Sequence, residues 1–145
     1  IMNSCKFPVI ATPQECHYSP IKKLLFLTNY SLSQLHNLEN VHNLALMLGA
    51  QIDVLQVSVI DKGQDKIFST EWKKLRAKSD VHFYLLTSND IEGTINDFIE
   101  LHKSNLVVIN THHYNFFDSL FQYSLSKNLA FHSKSPFLSI SAGKD

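Results

Sequence analysis

From Ile21 onward the chain alternates short apolar runs with longer stretches in which apolar residues recur every three or four positions. A run such as "KLLFLT" (Lys23 to Thr28) suits a strand buried on both faces, which is the environment of a parallel sheet covered by helices. After it, Ser31 or Ser33 can cap a helix whose apolar stripe is Leu32, Leu35, Leu38, Val41, Ala45 and Leu48, with Gly49 as its stop. "QIDVLQVSVI" reads as a second strand. A turn containing Gly63 and a weaker helical segment through Trp72 and Leu75 follow, then "VHFYLLT" as a third strand. "SNDIEGTINDFIELHKS" offers Ser, Asn and Asp as caps ahead of a helical face of Ile91, Ile95, Phe98, Ile99 and His102. "NLVVIN" is a fourth strand, Phe121, Leu125 and Leu129 mark a last helix, and "PFLSIS" is a fifth strand. Strands alternating with helices require right-handed crossovers, so the chain is predicted to be an α/β protein with a parallel, doubly wound sheet.

The remaining composition narrows the function classes. At 145 residues and 44% hydrophobic, the chain can bury one continuous core. Thirteen basic and thirteen acidic residues cancel, without a run of five like charges, so no basic footprint for nucleic acid or an anionic membrane is present. No apolar run reaches the ~18 residues of a membrane span. Cys5 and Cys16 have neither CxxC spacing nor a second pair, which fits a reducing, cytoplasmic setting.

The two ends share a short repeat. "SCKFPVIATP" (Ser4 to Pro13) resembles "SKSPFLSISA" (Ser133 to Ala142), each a Ser/Lys lead, a proline and a short apolar strand. The expectation is that residues 1–18 carry a last-strand-like segment of a preceding domain plus a linker, and that residues 19–145 form the main domain. Such a segment could cover the edge of the final strand within one chain.

"IKKLLFLTNYS", "AQIDVLQVSV", "IEGTINDFIELHKSNLVVINTHH" and "SLSKNLAFHSKSPFLSIS" resemble, in order and spacing, the universal stress protein family, from about Ile21 to Ser141. The resemblance implies a Rossmann-like (adenine nucleotide alpha hydrolase-like) three-layer sandwich with a five-stranded parallel sheet of order 3-2-1-4-5. It also implies pairing through the last strand, here Phe137, Leu138, Ser139, Ile140 and Ser141, as a homodimer or between tandem domains. Some members hold ATP at the carboxyl ends of strands one and four and others hold no nucleotide. Open sheets of this type place ligands at that switch point, so the crevice is expected at Thr28, Asn29 and Tyr30 beside Asn110, Thr111, His112 and His113, with Ser124 across the turn.

Both halves of the nucleotide motif depart from the family pattern. ATP-binding members carry three glycines after strand four, which let backbone N–H groups approach phosphates; the matching positions here hold Asn110, His113 and Tyr123, and only the hydroxyl, Ser124, is kept. The Asp that such members carry after strand one is Asn29 here, which offers no metal-facing carboxylate. The expectation is therefore a non-catalytic stress-response binding or scaffolding domain with a degenerate site and no cofactor. One alternative is an ATP binder that grips phosphate through Asn110, His113 and Ser124; another is a regulatory domain of a membrane transporter.

Other chemistry is weaker. Eight histidines invite a metal, yet His112 and His113 are adjacent and no HxxxH supplies further ligands. His36 and His42, six apart on the first helix, read as a solvated polar face. A nucleophilic site lacks a GxSxG elbow and a carboxylate to orient an imidazole. The aromatic stretch "YNFFDSLFQY" fits either packing into the vacated phosphate space or an exposed interaction patch.

Overall fold

The structure is a computed structural model that describes residues 9–12, 19–28, 30, 32–59, 70–111 and 135–141, without the side chains of Val9, Ala11, Leu32, Thr111 and Ser141. Expectations for Cys5, Cys16, the Gly63 turn, the aromatic stretch and the last helix lie outside these residues.

Six strands and three helices are described: β1 (Val9–Ala11), β2 (Lys23–Leu27), α1 (Leu32–Leu48), β3 (Gln51–Ser58), α2 (Thr70–Arg76), β4 (Val81–Thr87), α3 (Ile91–His102), β5 (Leu106–Thr111) and β6 (Phe137–Ser141). The sheet order is β1-β6-β5-β2-β3-β4. Strands β2 to β6 are mutually parallel where they neighbour. Counted from β2, they stand in the predicted order, third, second, first, fourth, fifth.

The position of β2 explains its sequence. It pairs with β3 on one side and β5 on the other, and Leu24 to Leu27 are buried to within 1% on both faces. Leu24 and Phe26 join a core with Leu35, Leu38, Val41, Ala45 and Trp72 beneath α1 and α2. Leu25 and Leu27 join the opposite core with Ile95, Phe98, Ile99 and Val107 beneath α3. Each fully buried side chain of this kind contributes about 1.5–3 kcal/mol relative to exposure.

The helix ends follow local chemistry. Gly49, at φ 65, ends α1, and Ala50 N–H donates to Ala45 O at 2.8 Å. Asp90 caps α3 by accepting from Gly93 N–H at 3.0 Å. Lys103, in the left-handed region at φ 56, closes that helix through a bond to Ile99 O.

One expectation on α1 is corrected. His36 is solvated, but His42 is 5% exposed and lies 2.7 Å from Asp80, just ahead of β4. A partner 38 positions away converts a polar-face residue into a tie between α1 and the sheet.

The fifth of the domain's strands does not end the sheet. β1 lies antiparallel on β6, with Val9 opposite Ser139, Ile10 opposite Leu138 and Ala11 opposite Phe137. The segment read as a last-strand repeat thus occupies the edge of the last strand, adding a sixth, antiparallel strand to the five-stranded parallel sheet.

Candidate functional site

The β2–β5 register, Leu27 opposite Ile109, sets Thr28 beside Asn110 at the carboxyl end of the sheet. β2 leads into α1 on one face of the sheet, α3 leads into β5 from the other face, and the strand order reverses between these two strands, which marks the switch point here.

Thr28 and Asn110 are both fully buried. The Asn110 amide nitrogen donates to Leu27 O at 3.0 Å, and its Oδ1 accepts from the Asn37 amide of α1 at 2.9 Å. The Thr28 hydroxyl donates to Gln34 Oε1 at 2.7 Å and accepts from Tyr30 N–H at 2.9 Å, while Thr28 N–H donates to Leu55 O. At the position where a glycine would expose backbone N–H to a phosphate, a carboxamide instead ties two strands and a helix together. Both ends of that carboxamide are engaged within the protein.

Tyr30, the last residue of the Thr28–Tyr30 segment expected at the crevice, completes the described rim. Its backbone sits at φ 61, an uncommon conformation for a bulky residue. It is held there because its ring packs edge-on to Trp72 at 5.0 Å and stacks with Phe83 at 6.2 Å, while its hydroxyl donates to Tyr84 O at 3.1 Å. Burial pushes the phenol well above its usual range, against a smaller opposing effect of Arg76, so Tyr30 stays protonated. The sequence places it at the crevice, directly after Asn29 in "TNYS", but carries no sign of its left-handed backbone.

The buried polar residues of this end are Thr28, Gln34, Asn37, Gln56 and Asn110, all uncharged. Gln56 Oε1, one residue beyond Leu55, has no hydrogen-bond partner among the described residues. No group of three His, Cys, Asp or Glu side chains that could hold a metal occurs among the described residues. Of the predicted site residues the structure joins Thr28 and Asn110; Asn29, His112, His113 and Ser124 lie outside the described residues, as does Tyr123. In the predicted interface, Phe137, Leu138 and Ser139 are buried, Ile140 is half-buried, and the backbone through Ser141 is paired with β5.

No protein-family model matches the chain. No curated protein matches it either. Solved structures do. A universal stress protein in complex with cAMP aligns with a TM-score of 0.64 at 15% identity, over 86% of this chain and 100% of that one. A universal stress protein from Archaeoglobus fulgidus DSM 4304 aligns with a TM-score of 0.75, again at 15% identity, over 99% of this chain and 53% of that one. The chain therefore spans about half the length of the Archaeoglobus protein. No described helix is long and apolar enough to cross a membrane. Strand order, the two helical layers and these alignments agree on one conclusion: the chain has the fold of the universal stress proteins.

Proposed function

We propose that this chain is a universal stress protein domain that serves as a non-catalytic binding or assembly module, without ATP as a cofactor. The observation that carries this reading is the Asn110 carboxamide, fully buried and bonded at both ends to Leu27 O and Asn37. Opening that position for a phosphate would break two buried hydrogen bonds and leave their partners unsatisfied, at a cost of about 1–3 kcal/mol for each stranded group. The uncharged crevice offers no described acid, base or nucleophile for chemistry.

Assembly runs through β6 in this reading. A parallel sheet that ended on β6 would present a row of unpaired backbone groups, and here β1 covers three residues of that row in antiparallel register. A last strand from a second domain or a second copy would meet the same edge with the same geometry.

A second reading has its own support. One structural neighbour is in complex with cAMP, and Gln56 Oε1 is a buried acceptor without a donor among the described residues. A nucleotide that supplied that donor would make the chain a binder with an altered phosphate grip.

A thermal-melt titration separates the two. ATP with Mg²⁺, and separately cAMP, are added at millimolar concentration beside a nucleotide-binding universal stress protein as control. Ligand at 100 times its dissociation constant stabilises the native state by about 2.7 kcal/mol. The assembly reading predicts no shift with either ligand; a saturable rise in melting temperature with either one establishes the second.

A further inference from the structure

Asp53 is the third residue of β3, and strand alternation turns its side chain toward α3 with Leu55 and Val57. It is 1% exposed, and neither carboxylate oxygen accepts a hydrogen bond among the described residues. Two imidazoles flank it. His82 Nδ1, from the adjoining strand β4, lies 3.4 Å from Oδ1; His102 Nδ1, from the last turn of α3, lies 3.5 Å from Oδ2. No lysine or arginine pairs with Asp53 among the described residues.

The surroundings hold few other charges. From β4 comes Tyr84, whose phenol is raised by burial and, secondarily, by the Asp53 charge. From β2 comes Lys23, on the same face two residues before Leu25, which is in register with Asp53. Lys103 follows His102 at the end of α3. The His102 ring is stacked on Phe98, centroids 3.9 Å apart at 11°, and meets Tyr84 edge-on at 5.2 Å. A cation on that ring gains from the face of Phe98 stacked against it.

A carboxylate out of water without a donor is strongly unfavourable. Protonating either imidazole supplies what is missing. The Nδ1 then carries a hydrogen whichever tautomer the neutral ring held, and a positive charge stands within 3.5 Å of the carboxylate. We propose that His82, Asp53 and His102 form a proton-operated clasp between α3 and the β3–β4 edge, tight when an imidazole is charged and slack when both are neutral.

The sign of the linkage follows. The unfolded chain holds no carboxylate against these rings, so the contact belongs to the folded chain alone. The clasp therefore adds stability where an imidazole is charged and withdraws it where both are neutral. His82 is 45% exposed, so solvent protons reach the cluster directly.

The test compares the melting temperature of the intact chain at about pH 8 and about pH 5.5 with that of Asp53→Asn, His82→Asn and His102→Asn. His42 and Asp80 are intact in every variant, so their contribution cancels in the difference. Relative to Asp53→Asn, the native chain is expected to gain about 3 °C or more on acidification, and each histidine variant to lose part of that gain. An Asp53→Asn chain with the native pH profile, or a native chain that loses stability toward acid relative to it, overturns the clasp. If Asp53→Asn does not fold, histidine ring resonances of the native chain decide. Titration of His82 or His102 at a higher midpoint than in the denatured chain supports the proposal, and midpoints at or below the denatured value overturn it.

Discussion

The two ends of the sheet solve the problem of buried polarity in different ways. At the carboxyl end, Thr28, Gln34, Asn37 and Asn110 are neutral donors and acceptors satisfied by one another and by the Leu27 carbonyl. In the amino-terminal half, alongside the buried Ser104, stand buried ionisable groups: Asp53 between two histidines, and His42 against Asp80. A neutral network is indifferent to pH and gains its strength from geometry; an Asp–His cluster changes with every proton. The crevice end is therefore built to hold its shape, and the responsive chemistry sits at the end of the sheet remote from the crevice.

The largest break in that contrast is Asn110→Ala. It removes two buried side-chain bonds and strands the Asn37 amide and the Leu27 carbonyl, so urea denaturation should show a loss of about 3 kcal/mol, unchanged between about pH 5 and pH 8. A loss that varied with pH would show that the carboxyl end is coupled to the charged one.

A smaller effect, and a pH-dependent one, belongs to Asp80→Ala. The hydrogen bond with His42 holds the Asp80 carboxyl below its usual range, outweighing the opposing effect of desolvation. A depressed folded-state value means stability present above the unfolded carboxylate value of about 3.9 and lost as the pH falls through the folded one. Chemical denaturation should show a cost of about 1 kcal/mol at pH 7, moderated by partial exposure, and the difference from native should vanish once the pH has fallen below the folded-state value. The smallest effect serves as the reference: Met47→Lys, at a position 84% exposed, should stay within about 0.5 kcal/mol at any pH.

The same contrast explains what was legible in the sequence. Strands buried on both faces, such as Leu24 to Leu27, announce themselves as apolar runs, and the Asp90 cap of α3 lies within three residues of its partner. Those local signals were enough for the fold class and, with the family resemblance, for the strand order. Asn110 was singled out because it replaced a glycine, but its ties to Asn37, 73 positions away, and to Leu27 depend on the register of β2 and β5. His42 was misread because Asp80 reaches it only after two strands and two helices have assembled. Asp53 sat unremarked inside "QIDVLQVSVI" since both its imidazoles arrive from other elements. Tyr30 owes its left-handed backbone to Trp72 and Phe83, which no local pattern links to it.

The central claim is that the Thr28, Gln34, Asn37 and Asn110 network of the crevice is satisfied within the protein and does not yield to a nucleotide. The side-chain amide resonances of Asn37 and Asn110 report on it directly. Titrated with ATP and Mg²⁺, and with cAMP, to millimolar concentration, these resonances should stay in place and remain slow to exchange with solvent. A saturable movement of either amide, or loss of its protection as ligand is added, would show that the Asn110 network opens for a phosphate and would contradict the account.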